Sequence, residues 1–541
     1  MKALLRWNLS GSSFSGKVRM LSGLLTRGND TGDNLLCTVP SVCVSARNDW
    51  QWTRLSTYPK GAAPEHPVIS STAASVLETR FSFQPFLSRS KSTTAPTTMV
   101  DPAALGLTEE DVELIVKRYL QEKRDRYNAK FRVLSYHVKR LSEEPIGYLG
   151  DHYFLNVVLR EKMVHYSAEE EEYAEEEYLS FFLKILPENV PKLADYVREM
   201  GCFKKEIQLY THLIPRLQDV TIGTRPFAPR AYLTKDDKLL VFENLKAEGY
   251  QMLENNKSLL DFAHLEVALK TVAKLHAASL VLEERTKQPI MKLYSGHLNE
   301  NVYIDDDKYV RKTNLDNAIK ALCELIKRID KYKNSDKLDY ILEKFPEVIR
   351  RIYDFARPST EYRNVFNHGD LWNNNLMFKY EESEKIVPNS DPVPVSAVLV
   401  DYQFSRLAPP AYDVMSLIMI STLSSFRNKH LEAWKNIYYD ELGSLLAEFE
   451  SIDVEDLLPR AVFLESCREY HLAGLIESCM YFHWPPTPDC YEIVNGADWF
   501  DESRKPAVFV QASLNGFERY EDYRHRISDM IMQIVDGYVL D

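Results

Sequence analysis

Two stretches constrain this chain more than any other feature: residues 365–378, VFNHGDLWNNNLMF, and residues 396–404, SAVLVDYQF. Leu376 to Lys379 and Val395 to Val400 are short strand-like runs. Pro388, Asn389, Asp391, Pro392 and Pro394 between them are the punctuation of a loop, so the pattern predicts a hairpin. Antiparallel pairing places the start of the first strand beside the end of the second. Asn375 and Asp401 then meet at the open end, and Asp370 arrives from the loop just before. An amide and a carboxylate are hard oxygen donors suited to Mg2+, while a carboxylate not spent on metal can orient and deprotonate a hydroxyl.

That set suits phosphoryl transfer, in which a protein contributes mainly positioning and charge neutralisation. The nucleotide side needs further groups. Lys184 stands in FFLKIL, an ammonium among apolar residues that would be costly to bury unpaired. In FKKEIQLYTHLIP, Phe203, Ile207 and Tyr210 share one helical face, and Glu206 lies on that inward side, so Lys184 and Glu206 are expected to pair. The strand KLLVFE then leads to Glu243, Asn244 and Leu245, where a hinge with free backbone groups could hold an adenine. Gly147 and Gly150, in IGYLGDHYF, precede a strand and could form a phosphate loop, although paired glycines also occur in ordinary turns.

Composition bounds the rest. The 541 residues carry 79 acidic and 66 basic side chains, a formal net charge of -13, which opposes binding to nucleic acid. No apolar run approaches the roughly 18 residues needed to cross a bilayer, so no membrane role is expected. Seven separated cysteines without a CxxC pair read as reduced thiols. The chain changes character near residue 100: residues 1–98 hold 11 basic, 5 acidic and 26 Ser or Thr side chains. This segment (1–100) reads as a disordered extension or, from Lys2, Arg6, Lys17, Arg19 and Arg27, as a mitochondrial transit peptide, with a cytoplasmic location otherwise expected. Residues 101–245 read as a strand-rich lobe and 246–541 as a helical one. Thr108 and Asp111 form a capping box, strands are expected over 148–165 and 179–186, and helices over 261–284, 313–331, 456–483 and 518–538. The acidic run 169–177 reads as a solvated hairpin cap.

HGDLWNNNLMF and LVDYQF, with FLKILP, KEIQLY and VFENLKAEGY, resemble the ecdysteroid kinase-like (CHK kinase-like) family, relatives of choline kinases and aminoglycoside phosphotransferases. The resemblance spans residues 105–541. It implies an α+β, protein kinase-like two-lobed fold with a small antiparallel-sheet N-lobe and a larger helical C-lobe. It further implies Asp370 as catalytic base, Asn375 and Asp401 as Mg2+ ligands, Lys184 as the phosphate-contacting lysine with Glu206 as its partner, and Glu243 and Leu245 beside the nucleotide. The implied activity is ATP- and Mg2+-dependent phosphorylation of a small-molecule alcohol, an ecdysteroid or another hydroxylated lipid or xenobiotic. Gln403 stands where protein kinases have the glycine of Asp-Phe-Gly.

Structural readings stand beside these. His368 reads as a backbone-bonding residue of the catalytic loop, His276 as a core histidine, and Asp413 as a helix cap and loop brace. Tyr481, Phe482, Trp484, Tyr491, Trp499 and Phe500 read either as pocket lining or as core. Two other functions compete: a catalytically silent ligand-binding protein on the kinase fold, and a protein kinase, which the H-G-D motif and the lack of Ala-Pro-Glu oppose. Oligomeric state is not legible.

Overall fold

The computed structural model describes residues 99–124, 130–141, 149–161, 175–235, 237–253, 259–381, 392–482, 500–501 and 505–541, with the backbone of 42–46 and 49–53. Gly147, residues 169–174 of the acidic run, Pro388, Asn389, Asp391, Trp484, Tyr491 and Trp499 lie outside these. Residues 1–80 form a separate unit, whose described part is an antiparallel hairpin of β1 (Val42–Ala46) and β2 (Asp49–Thr53).

In the second unit, six strands make one antiparallel sheet in the order β3-β4-β5-β6-β8-β7. They are β3 (Met99–Val100), β4 (Phe131–Arg140), β5 (Asp151–Glu161), β6 (Glu177–Ile185), β7 (Ala231–Lys235) and β8 (Leu239–Glu243). Strand β5 alternates because one face meets a core, whereas β8 is buried throughout, as a strand covered on both faces must be. Helix α1 (Glu109–Arg124) closes one face. Its capping box is formed: Asp111 N–H donates to Thr108 Oγ1 (3.2 Å) and Thr108 N–H to Asp111 Oδ2 (2.9 Å). Val112, Ile115, Val116 and Leu120 then bury against Leu155, Val157, Phe181 and Val241. Strand β4 escaped the sequence reading because its FRVLSYHVKR is mostly half-exposed and charged, with only Val138 fully buried.

The opposite face continues into a second, larger core. Helices α2 (Pro191–Met200), α3 (Cys202–Gln208) and α4 (Ile214–Val220) follow β6, with a π turn at Leu209–Leu213 between the last two. Helix α5 (Phe262–Thr286) is apolar on most sides because it lies inside the helical lobe, against the hairpin of β10 (Leu376–Tyr380) and β11 (Pro394–Leu399) and the long helix Ser424–Glu450. A second short ladder pairs β9 (Val365–Asn367) with β12 (Arg406–Ala408).

Some expected helices differ in extent. The span 456–483 is three pieces, Val454–Leu457, Arg460–Glu469 and His471–Phe482; Pro459, which lacks the N–H that continuation needs, separates the first two. The helix expected at 313–331 ends at Ile326 in a series of tight turns. Asp413 is not a helix cap: the helix Pro410–Ser421 starts at Pro410, whose missing N–H suits a first turn, and Asp413 sits inside that turn. Cys202, Cys467 and Cys479 are buried and Cys323 half-buried, all as free thiols. Among the described residues no helix is long and apolar enough to cross a membrane. The second unit is thus an α+β fold of the two-lobed, protein kinase-like class: an antiparallel-sheet lobe and a larger helical lobe.

Candidate active site

The hairpin pairs in the expected sense, with Leu376 opposite Leu399 and Met377 opposite Val398. Val400 N–H donates to Asn375 O (3.0 Å), which extends the ladder by one step and fixes Asn375 beside Asp401. The Asn375 amide nitrogen donates both to Asp370 O (2.8 Å) and to Asp370 Oδ2 (2.9 Å). Both amide hydrogens are spent on Asp370, which leaves the side-chain oxygen as the acceptor of this group.

Lys184 joins the lobes. Its ammonium, buried on β6, donates to Glu206 Oε2 (2.6 Å) and to Asp401 Oδ1 (2.8 Å). Burial alone would lower the lysine's pKa, but Asp401 and Glu206 outweigh it and hold Lys184 charged. Glu206 lies on the buried face of α3, and its other oxygen accepts from Tyr402 N–H (3.2 Å). One carboxylate therefore ties sheet, helix and hairpin end together.

Asp401 has a left-handed backbone (φ 70°), which is uncommon for a residue with a side chain. The surroundings over-determine it: Lys184 holds one oxygen and Gln403 Nε2 donates to the other (3.1 Å). In this protein Gln403 is an orienter of Asp401. Asp370 is buried, and burial, followed by the charge of Asp401, pushes its carboxyl up to about 7; Tyr481 and Arg311 oppose this. Tyr481 O–H donates to Asp370 Oδ1, and its ring rests on Trp372 (5.2 Å).

The loop carrying Asp370 is braced from below. His368 N–H and Gly369 N–H donate to the two oxygens of Asp413 (2.7 and 3.0 Å), and His276 Nε2 stands 3.3 Å from Asp413 Oδ2. Burial would raise the Asp413 carboxyl, yet the His276 contact and the Gly369 N–H hold it low. His276 is a core histidine, as expected, bonded also to Tyr438 O–H (2.7 Å). His368 donates through Nε2 to Val400 O (3.0 Å), and burial lowers its pKa, so it is a neutral structural link between loop and hairpin. Gly369 has φ 76°, and a Cβ there would lie 2.4 Å from Phe404 O. Only glycine fits the middle of His-Gly-Asp.

The remaining expected residues separate. The Glu243 carboxylate accepts from Lys123 Nζ (3.1 Å) and Arg230 N–H (2.8 Å), and its own N–H donates to Arg230 O (2.9 Å), so this residue is committed to the packing of α1 and β7. Leu245 packs with Tyr250, Met377 and Val398 in a small apolar cluster of its own between hinge and hairpin. Gly150 lies over Lys184; a Cβ there would be 3.4 Å from its Cγ and Cε. Among the described members of the aromatic group, only Tyr481 reaches the carboxylate cluster. Phe482 packs under Arg526 (3.7 Å) and Phe500 against Tyr196 (5.4 Å). Gln403, Trp372 and Arg311 were not expected here. Gln403 and Trp372 stood within the quoted motifs, but Arg311 carries no local signal.

Among the described residues no three His, Cys, Asp or Glu side chains form a ready metal site. Asn375 and Asp401 offer one amide and one carboxylate. So sparse a set of hard donors fits Mg2+, which keeps waters and takes phosphate oxygens to complete its shell.

The ecdysteroid kinase-like family model matches residues 150–451. No curated protein matches the sequence. Solved structures with similarity include the choline kinase LicA from Streptococcus pneumoniae, 12% identical over 76% of this chain and 99% of that one, TM-score 0.29. A microcompartment-associated aminopropanol kinase is 13% identical over 76% and 98%, TM-score 0.29, and a thermostable mutant of aminoglycoside phosphotransferase APH(4)-Ia 10% over 78% and 99%, TM-score 0.26. With more than half of its length matched by this one family model, the chain belongs to the ecdysteroid kinase-like family.

Proposed function

We propose that the protein is a small-molecule O-kinase that uses ATP and Mg2+ to phosphorylate an alcohol, an ecdysteroid or a comparable hydroxylated molecule. The observation that carries this reading is the buried ammonium of Lys184 held between Glu206 and Asp401, with Asp370 and Asn375 at the open end of the same hairpin. An ammonium fixed by two carboxylates presents a positioned positive charge where the phosphates of a nucleotide need one. The adenine would lie on the apolar cluster of Leu245, Tyr250, Met377 and Val398, against the hinge main chain at Glu243 to Leu245. Gly150, above Lys184, would cover the phosphates.

Asn375 and Asp401 would hold the metal, which when bound neutralises phosphate charge. Asp370 would accept the acceptor's hydroxyl hydrogen bond and take its proton as that oxygen bonds to the γ-phosphorus of ATP, while the bond from that phosphorus to the β–γ bridging oxygen breaks and ADP leaves. A carboxyl at about 7 sits close to the pH at which such a base is both available and effective. Tyr481, which donates to Asp370 Oδ1, must share that oxygen with the acceptor or yield it.

The test is incubation of the protein with labelled ATP, Mg2+ and a tissue extract, followed by untargeted profiling for new phosphate esters. A parallel arm with a protein extract separates a small-molecule kinase from a protein kinase. Nucleotide binding without any transfer would leave the silent ligand-binding alternative.

A further inference from the structure

Two consecutive residues of α3 reach the turn that presents Asp401. Glu206 does so directly, accepting from Tyr402 N–H (3.2 Å) while its other oxygen takes Lys184. Lys205 does so through an intermediary. Its ammonium, buried like Glu206, donates to Asn299 O (2.8 Å) and to Asn301 Oδ1 (2.9 Å). Asn301 is buried too, and its amide nitrogen donates to Gln403 O (3.2 Å); Gln403 Nε2 donates in turn to Asp401 Oδ2 (3.1 Å). These bonds link the helix to the carboxylate that would hold the metal, with Gln403 as the last step. Residues 299–303 belong to no helix or strand, so side-chain bonds and Tyr309 O–H on Asn301 O (2.6 Å) are what fix Asn301 in place.

The surroundings of the lysine are unusual. Among the described residues no carboxylate lies within ion-pair distance of Lys205: Glu300, which acts on it through space, accepts from Val302 N–H (2.7 Å) and Tyr303 N–H (2.9 Å) and faces Arg406 (3.3 Å). Burial pushes the ammonium down to about 7; Glu300 opposes this and Arg406 adds to it. A buried cation answered by neutral oxygens is a costly way to fill space that methionine could fill. What it supplies is direction. An ammonium only donates, so it turns the Asn301 amide one way round, oxygen toward Lys205 and nitrogen toward Gln403.

Resting on the kinase reading above, we propose that Lys205 and Asn301 are positioning residues for metal binding: the ammonium sets the Asn301 amide, and that amide holds the Gln403 turn so that Asp401 is presented to Mg2+ with the nucleotide.

The test is calorimetric titration of the full chain with ATP, once with Mg2+ and once with chelator, for the wild type, Asn301→Asp, Lys205→Met and Lys205→Arg. The quantity read is the ratio of the two affinities. Asn301→Asp keeps an acceptor for Lys205, and so keeps the loop tied to α3, but offers no hydrogen to Gln403 O. It should lose about tenfold of the Mg2+-dependent gain, the scale of one buried hydrogen bond, with the metal-free affinity near the parent's. Lys205→Met should lower the same ratio, and Lys205→Arg, which keeps a cationic donor, should restore part of it. A merely structural tie would leave the ratio alone. An unchanged ratio in Asn301→Asp, or equal losses with and without Mg2+, therefore overturns the assignment, and Asn301→Asp decides by itself if Lys205→Met does not fold. A wild type that binds ATP no better with Mg2+ than with chelator defeats the proposed metal site itself. A wild-type gain that the variants retain defeats only the role of Lys205 and Asn301.

Discussion

The raised Asp370 carboxyl makes a prediction about stability that needs no substrate. Its ordinary value of 3.8 moves to about 7 because burial, then the charge of Asp401, disfavours the ionised form. Between those two values the unfolded chain gives up the proton and the folded one keeps it, so folding stability falls as pH rises. The decline is about 1.4 kcal/mol per pH unit and stops above about pH 7. From pH 5 to pH 8 the loss is about 3 kcal/mol, and for a folded unit of roughly 440 residues that is a melting shift of about 3 °C. Asp370→Asn cannot titrate. Its melting temperature should therefore gain on the wild type by that amount as the buffer moves from pH 5 to pH 8, without nucleotide or metal. The contact that the substituted amide would make with Asn375 adds only a pH-independent offset. Scanning fluorimetry of both proteins across the window reads the difference directly. A wild-type minus variant difference that stays flat from pH 5 to pH 8 would refute the claim that this carboxyl is desolvated beside Asp401. Asp401→Asn, which removes the second cause, should shrink the pH-dependent part.

Other expectations follow from the same geometry. Lys184→Met leaves Glu206 and Asp401 without their shared cation and should cost about 3–5 kcal/mol in urea unfolding near neutral pH, together with nucleotide binding. In Gly369→Ala the new methyl meets Phe404 O and the backbone is strained, so phosphoryl transfer should collapse and the melting temperature drop; a variant as stable and active as the parent would show that the loop relaxes freely. Asp413→Asn removes one of the two charged acceptors of the His368 and Gly369 N–H groups. It should lower kcat more than nucleotide affinity, a split measured by steady-state kinetics beside nucleotide titration. Thermal stabilisation by ATP should require Mg2+ in the wild type, so that chelation removes it, and Asp401→Ala should abolish the Mg2+-dependent part.

Much of this site was legible because its members are local or follow from register. Asp370, Asn375 and Asp401 sit within one loop and one hairpin, and antiparallel pairing of Leu376 with Leu399 brings them together whatever surrounds them. Lys184 and Glu206 were legible for another reason: a charge embedded in an apolar strand or on the inner face of a helix must find its opposite. What the chain's order alone could not convey was long-range. The Lys184 to Asp401 bond spans 217 positions and the Tyr481 to Asp370 contact 111, and nothing near either residue announces its partner. Glu243 shows the limit from the other side: its place at the end of β8 was readable, but its carboxylate turns to Lys123 and Arg230 because α1 and β7 happen to pack there. Strand β4 and the exposure of Arg311 likewise depend on which neighbours cover them. Sequence by itself determined the chemistry that must be satisfied; the tertiary packing decided which groups satisfy it, because burial and through-space charge depend on distances that separation along the chain does not encode.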